Sequence, residues 1–349
     1  MEYSNSNRSN FWNNHTLYDF QKLAILKNVH SLQITSICFL KDGRIASSSG
    51  DKKVLIYNKI TFKIEIRIKE RKGIRYMNVN KDGILITCSG GTYVNLYEFK
   101  GKKYTNIQTI RPYSLKDDII GIFDDSYSIQ KFIELKNGDI AILVWAYAIC
   151  FYQKKKNNKK YSFLNKFIYE DSNSSVTDLL ELDNQQYCIA YKYDHLIKFL
   201  DMKSQKITSI MDLKDLYFSD SHNHILLMNE KDLLIVGSYN LLIIDIQKKE
   251  ITKNIKINKC GYLTSIYKIS DNIFIAGYWN NYIEQLEYDK NKKEFKVISK
   301  KEAKNNDDYY SYDLFDISSI SIFNDKLIVA PYDNEVGDSS LIIYKLKNK

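Results

Sequence analysis

The chain has 349 residues, enough for one large domain or two ordinary ones, and 44% of them are hydrophobic, which excludes a disordered chain. Only 2 residues are proline, while 28 are tyrosine and 16 are phenylalanine, a composition that favours β-strands. The formal net charge of +9 would suit an anionic partner, but the lysines are spread over many loops and mixed with Asp and Glu, so the charge alone identifies no ligand.

Cysteine spacing and the absence of long apolar runs bear on the cellular compartment. No two cysteines are close enough for a Cys-x-x-Cys site, and the first four lie in apolar segments, as buried reduced thiols do. The five are Cys38, Cys88, Cys150, Cys188 and Cys260. No apolar run approaches the ~18–20 residues of a membrane span. We therefore predict no transmembrane segment and a cytoplasmic protein, with the nucleus as the intracellular alternative.

The amino-terminal region combines a polar segment with an isolated strand. Residues 1–14 are rich in Asn and Ser and lack the apolar centre of a signal peptide, so we predict a flexible polar arm. Residues 17–26 have the pattern of a β-strand but no nearby strand to pair with. Their role depends on the far end of the chain.

Residues 30–58 hold the clearest local pattern, a meander of three strands over 34–40, 44–49 and 53–57. The first two strands are joined by Lys41-Asp42-Gly43. An Asp-Gly turn between apolar runs is a strong hairpin signal, because glycine adopts a positive φ without steric cost. With a fourth strand at 63–68, the meander becomes a four-stranded unit.

This four-stranded unit recurs along the chain. The second strands begin near residues 44, 84, 139, 186, 233, 273 and 326, a spacing that averages about 47 residues. The units span approximately 30–68, 74–110, 129–168, 176–213, 223–257, 263–299 and 317–346. Four short strands at this period are typical of a β-propeller, in which neighbouring blades bury one another's faces. We predict an all-β, seven-bladed propeller of four-stranded antiparallel blades over residues 15–349.

The seventh unit contains only three strands, and the chain ends at Lys349 before a fourth could form. The surplus strand at 17–26 is the missing piece. We therefore predict that it pairs with the last strand, near 341–344, and closes the ring.

The first unit resembles a WD repeat. Residues 34–39 (Ile-Thr-Ser-Ile-Cys-Phe) are similar to the Val-x-Ser-Val-x-Phe strand of that family, and 45–51 (Ile-Ala-Ser-Ser-Ser-Gly-Asp) to its Leu-Ala-Ser-Gly-Ser-x-Asp segment. His30 stands where the family has Gly-His, and Tyr57 stands where it has Trp. The resemblance implies a structural network of His30, Ser48, Asp51 and Tyr57, which later units retain only in fragments.

The most informative predicted surface is the face that carries the turns between second and third strands. Such turns normally hold Gly, Asn, Asp and Ser, yet here they hold large aromatic residues from the third unit onward. Tyrosine and tryptophan are frequent at protein interfaces, so we predict partner binding there. The candidate residues are Trp145, Tyr147, Tyr193, Tyr239, Tyr278, Trp279 and Tyr332. The alternative is that these rings pack on neighbouring blades.

Catalytic and metal-binding motifs are missing from the sequence. There is no Gly-x-Ser-x-Gly, no phosphate-binding loop and no His-Glu-x-x-His. The histidine pair His222 and His224, with Asp220 nearby, would need further ligands to hold a metal, and its loop setting favours solvated residues. We expect no cofactor, no metal site and no catalytic residue.

Function is therefore predicted as a non-catalytic scaffold for protein–protein interaction, a monomeric propeller within a complex whose partners are proteins or peptides. One alternative is a propeller enzyme, lactonase-like or lyase-like, that uses the central channel; the mostly apolar inner strands argue against it. Another is binding of nucleic acid or an anionic membrane by the opposite, lysine-rich face. Solvated charge is the simpler interpretation of those lysines, and we do not expect nucleic acid as a partner.

Overall fold

The computed structural model describes residues 18–91, 93–112, 129–145, 148–156, 158–168, 176–183, 185–191, 195–214, 224–237, 239–257, 262–278, 282–303, 315–333 and 339–348. The predicted arm at 1–14 lies outside these ranges. Seven four-stranded antiparallel sheets form the blades of a propeller, as predicted. In the described part of the chain there is no helix with the length and hydropathy that a membrane crossing requires.

The blades follow the chain, and in each the strand written first is innermost. Blade 1 contains β2 (Ile34–Phe39), β3 (Ile45–Ser49), β4 (Lys53–Tyr57) and β5 (Ile64–Lys69). Blade 2 contains β6 (Ile74–Val79), β7 (Leu85–Ser89), β8 (Val94–Lys100) and β9 (Lys103–Ile110). Blade 3 contains β10 (Ile129–Glu134), β11 (Ile140–Val144), β12 (Ala148–Lys154) and β13 (Tyr161–Ile168).

The later blades repeat this order. Blade 4 contains β14 (Val176–Glu181), β15 (Gln186–Tyr191), β16 (Leu196–Asp201) and β17 (Lys206–Asp212). Blade 5 contains β18 (His224–Leu227), β19 (Asp232–Val236), β20 (Asn240–Asp245) and β21 (Glu250–Lys256). Blade 6 contains β22 (Leu263–Lys268), β23 (Ile273–Tyr278), β24 (Tyr282–Asp289) and β25 (Glu294–Glu302). Blade 7 contains β26 (Phe315–Phe323), β27 (Lys326–Asp333), β28 (Ser339–Asn348) and, outermost, β1 (Tyr18–His30).

Pairing between β1 and β28 closes the ring, which confirms the predicted closure. Tyr18 lies opposite Asn348, and Leu26 lies opposite Leu341. The strand is longer than predicted and extends to His30, which therefore sits at the junction between blade 7 and blade 1. Phe20 is buried and makes an edge-on contact with Tyr344, with ring centroids 6.2 Å apart.

The hydrophobic core is divided among the interfaces between blades. Each of the seven described clusters joins two neighbouring blades; across the closure, Ile37 and Ile45 of blade 1 pack with Ile328 and Ile343 of blade 7. Neighbouring innermost strands also pack on one another, β2 against both β6 and β26. Because a blade cannot bury its faces alone, the ring must be complete to be stable.

Local turn chemistry explains why the strands form where they do. The turn after the innermost strand contains a glycine at positive φ in the first three blades: Gly43 at 83°, Gly83 at 82° and Gly138 at 88°. In blade 1, Gly43 N–H donates to Leu40 O at 2.9 Å, which completes the predicted hairpin. An L-residue with a side chain would be strained at this φ.

A bulge near the start of the innermost strand recurs in six blades. The extra residues are Thr35, Arg75, Gln130, Thr177, Thr264 and Ser318. Such a residue leaves the ladder locally unpaired. In four blades its hydroxyl donates to a carbonyl of the second strand; Thr35 Oγ1, for example, donates to Ser48 O at 3.2 Å. Arg75 cannot make this compact bond, and its side chain is exposed.

Candidate functional site: the upper face

We call upper the face that carries the turns between second and third strands, such as residues 50–52 and 90–93, and the segments that lead into the innermost strands. The opposite face is the lower face.

In blade 1, a buried polar network begins on the upper face at Asp51. His30 Nδ1 lies 3.1 Å from both carboxylate oxygens of Asp51, and His30 Nε2 lies 2.8 Å from Ser47 Oγ. Ser47 Oγ is in turn 3.0 Å from the hydroxyl of Tyr57.

One proton arrangement satisfies every member of this network. Tyr57 donates to Ser47, Ser47 donates to the Nε2 of a neutral His30, and His30 Nδ1–H donates to Asp51. Burial lowers the pKa of His30 and outweighs the opposing effect of Asp51, so the imidazole is neutral at neutral pH. Burial acts to raise the pKa of Asp51, but His30 and the backbone N–H groups of Ser31 and Lys53 reverse this, and the pKa lies below its usual value.

The serine of this network is Ser47, so the sequence prediction of Ser48 is wrong. Successive strand residues face opposite sides of a sheet, and Ser47 shares its side with Ile45, whose cross-strand partner is Tyr57. Ser48 points the other way, and its Oγ lies 3.2 Å from Thr35 Oγ1. The choice between adjacent serines depends on strand register, which a repeat pattern alone does not define.

Blade 2 contains an equivalent network that the sequence analysis missed. Its centre is Glu70, which is 5% exposed and follows β5 as His30 ends β1. Glu70 Oε1 accepts from Thr87 Oγ1 at 2.7 Å and from the Tyr97 hydroxyl at 2.8 Å, and Oε2 accepts from Asn95 Nδ2 at 2.7 Å. Burial, followed by the charge of Glu70, raises the pKa of Tyr97. One carboxylate thus replaces both the imidazole and the aspartate of blade 1.

The aromatic candidates differ in how much of each side chain is exposed. Tyr239 is 39% exposed in the turn before β20, and its ring centroid lies 4.6 Å from that of Tyr262, in the segment leading into β22. Trp145 is half-buried at the end of β11. The sequence prediction did not include Tyr262, because it was based on the turns between second and third strands more than on the segments leading into the innermost strands.

Among the aromatic residues predicted to bind a partner, Tyr278 is wrong. It is the last residue of β23, is 1% exposed, and packs in the core between blades 5 and 6. The strand ends at Tyr278, as predicted, but the ring points into this core and not toward the turn that follows. Tyr332 lies in β27 opposite Ser339. The remaining candidates lie outside the described residues; they are Tyr147, Tyr193 and Trp279.

The innermost strands are more polar than the sequence analysis assumed. Asp178 of blade 4 accepts from Lys131 Nζ of blade 3 at 2.6 Å and from the backbone N–H of Ile225 of blade 5 at 3.2 Å. His224 Nδ1, also of blade 5, lies 3.6 Å from Asp178 Oδ2. Burial alone would raise the pKa of Asp178, but Lys131 reverses this and holds it well below the usual range. The cluster therefore links three blades and is poorly suited to accept a proton.

His224 thus serves this ion-pair cluster, while the suggested metal partners His222 and Asp220 lie outside the described residues. Among the residues that the structure describes, no group of three His, Cys, Asp or Glu side chains could hold a metal ion.

Many lower-face lysines are engaged with neighbouring blades. Lys136 Nζ lies 2.7 Å from Asp183, Lys159 Nζ lies 2.6 Å from Glu98, and Lys154 forms an ion pair with Asp82. Each pair joins two blades, and each offsets a positive charge. The lower face is therefore less available to an anionic surface than its lysine content suggests.

No family model matches the chain, and no curated protein matches it in sequence. Many solved structures share its fold. The WD40 repeats of RRP9 superpose with a TM-score of 0.71 at 12% identity, over 94% of this chain and all of that one. Raptor from Chaetomium thermophilum gives a TM-score of 0.73 at 12% identity, over 96% of this chain and 30% of the Raptor chain. The fold is that of a WD40 propeller.

The WD40 fold accounts for the position of the two buried networks. Both connect the segment leading into an innermost strand with the second and third strands of the same blade. The two networks are buried, and they hold the upper-face loops of blades 1 and 2 in place from inside the blades. In the described part of this face, the exposed aromatic residue is Tyr239 of blade 5, which contacts the half-buried Tyr262 at the start of blade 6.

Proposed function

We propose that this WD40-like propeller is a non-catalytic platform that binds partner proteins or peptides through its upper face. The observation that carries the proposal is the pair of Tyr239 and Tyr262, which bridges blades 5 and 6 at the surface. Tyrosine offers a large amphipathic contact area with few rotatable bonds, which keeps the entropy cost of binding low. A closed ring supplies the rigid base beneath the pair.

We include in the proposed surface the other aromatic candidates of the sequence analysis: Trp145, Tyr147, Tyr193, Trp279 and Tyr332. Tyr278 is excluded by its burial. We infer that the propeller acts as a single copy within a complex and works inside the cell. The second inference is supported by the four free cysteines of the described core.

An affinity purification with matched variants tests this proposal. The double variant Tyr239→Ser with Tyr262→Ser removes the surface pair. Phe163→Ser is the control, because Phe163 has a similar exposure of 38% but lies on the outer strand β13. We expect quantitative mass spectrometry to find at least one stoichiometric protein with the wild type and the control that is depleted with the double variant. Equal recovery of every protein by all three baits would count against the proposal.

A further inference from the structure

A second surface on the upper face has a different chemistry. Residues 67–75 (Arg-Ile-Lys-Glu-Arg-Lys-Gly-Ile-Arg) carry five cations and one carboxylate. Four of these cations, together with two lysines of the neighbouring turn, form a basic patch across blades 1 and 2. Its members are all exposed: Lys52, Lys53, Lys69, Arg71, Lys72 and Arg75.

The carboxylates closest in sequence to the basic patch are buried. Glu70 is 5% exposed and accepts three hydrogen bonds inside blade 2. The Asp51 side chain is 2% exposed and is bound by His30, with Lys53 Nζ at 3.5 Å. These two carboxylates therefore place little negative charge at the surface of the loop.

The loop that carries these cations is held rigidly between two blades. Glu70 N–H donates to Lys52 O at 2.8 Å, and Lys72 N–H donates to the Tyr93 hydroxyl at 3.1 Å. Gly73 O accepts from Gly90 N–H at 2.6 Å. Because the backbone is already fixed, a ligand would not have to order it on binding.

Two glycines leave room for the cationic side chains to lie flat on the surface. A Cβ at Gly90 would be 3.6 Å from Arg75 Nε, and a Cβ at Gly91 would be 3.4 Å from Lys72 Cγ. Any longer side chain in this turn would compete for the space that Arg75 and Lys72 occupy. The side chains of Arg75 and Lys72 thus lie beside the turn between β7 and β8.

Like charges also face each other within the basic patch. Lys53 of β4 and Lys69 of β5 are direct cross-strand partners. Like charges directly opposite each other are destabilising, and Asp51, 3.5 Å from Lys53 Nζ, offsets part of this repulsion. Negative charge placed above the basic patch would offset more of it.

We propose that the basic patch binds an acidic segment of a partner protein, with Arg71, Lys72 and Arg75 as its principal contacts. Arginine pairs with carboxylates in a planar, two-pronged geometry, and cations spread over two blades match a row of acidic side chains. Surfaces for single-stranded nucleic acid interleave cations with exposed aromatic rings. Tyr93, which contacts the loop of the basic patch, is half-buried and its hydroxyl is engaged.

Fluorescence anisotropy with a labelled peptide of alternating Glu and Ser tests this proposal on the full chain. The test variant is Arg71→Gln, Lys72→Gln, Arg75→Gln. The control variant is Lys203→Gln, Lys248→Gln, Lys292→Gln, which removes the same charge from exposed lower-face turns. We expect the test variant to bind about 10-fold more weakly. The control should stay within about 2-fold of the wild type, and binding should weaken as salt is raised.

Further probes separate this proposal from the preceding one and from other anionic ligands. The Tyr239→Ser, Tyr262→Ser variant should bind the acidic peptide as the wild type does, even if the aromatic surface proves unimportant. Equal binding by the test variant and the wild type would overturn the proposal. Tighter, patch-dependent binding of a single-stranded oligonucleotide or of anionic lipid vesicles at the same salt would overturn it as well. Circular dichroism melting of each variant ensures that only folded protein is compared.

Discussion

His30 and Glu70 occupy the same position in successive blades, four residues before the innermost strand, yet one is an imidazole and the other a carboxylate. Each contacts the hydroxyl at the third position of the second strand, Ser47 or Thr87. Each network also includes the tyrosine of the third strand that lies opposite the first residue of the second strand, Tyr57 or Tyr97. Two chemistries therefore fulfil one structural role, and they predict different responses to mutation and pH.

Replacing Glu70 should destabilise the fold more than its place in a loop would suggest. Glu70→Ala leaves Thr87, Asn95 and Tyr97 without their shared acceptor, and we expect a loss of about 3 kcal/mol in the free energy of unfolding. Chemical denaturation measures this directly. Glu230→Ala, at an exposed turn, is the matched control and should change stability by no more than about 0.5 kcal/mol. Similar losses for the two variants would argue against a buried network in blade 2.

The two adjacent serines of β3 should differ in their effect on stability. Ser47→Ala removes the link between His30 and Tyr57 and should cost about 2 kcal/mol. Ser48→Ala should cost about 1 kcal/mol or less, since Thr35 Oγ1 keeps its bond to the Ser48 carbonyl. The measurement is a pair of urea unfolding curves. A larger loss for Ser48→Ala would reverse the assignment made here.

Stability should decrease on mild acidification because of His30. Its pKa is lowered in the folded protein, so below about 6.5 the unfolded chain binds the proton more readily than the folded one. The free energy of unfolding therefore falls as the pH drops through this region towards the lowered pKa. Unfolding curves for the wild type and His30→Gln, taken from neutral pH downward, isolate the contribution. The stability advantage of the wild type should shrink as the pH falls, and a pH-independent difference would contradict the neutral imidazole.

The ion pair between Lys131 and Asp178 should matter more than a surface pair. Lys131→Met leaves a buried carboxylate without its cation, and we expect a loss of about 3 kcal/mol. Adding Asp178→Asn should restore part of that loss, because the unpaired charge is gone while a side-chain oxygen remains for Ile225 N–H. Thermal melts of the single and double variants test this. No recovery in the double variant would show that the loss has another origin.

The ring could be predicted from sequence because its signals are local and repeated. Turns such as Lys41-Asp42-Gly43 mark the hairpins, and the surplus strand at 17–26 balanced the three-stranded seventh unit. Glu70 was missed because the expected family pattern has a histidine at this position. Its place 40 residues after His30, one repeat further along the chain, would have identified it.

Features that depend on register or on contacts between blades could not be predicted in this way. Ser47 and Ser48 differ only in which side of β3 they face, and Tyr278 is buried because it faces the core between blades 5 and 6. Lys131 and Asp178 lie in strands that contain other polar residues as well, so nothing in the local pattern singles them out. Only the ring places their side chains together, across a sequence separation of 47 residues.

Site-specific photocrosslinking in cells tests protein binding at the upper face. A photoreactive phenylalanine replaces Tyr239 in one version of the chain and Phe163 in another, two aromatic positions of similar exposure. We expect a defined protein adduct at position 239 that is absent at position 163. The same adducts at both positions, or none at position 239, would contradict it.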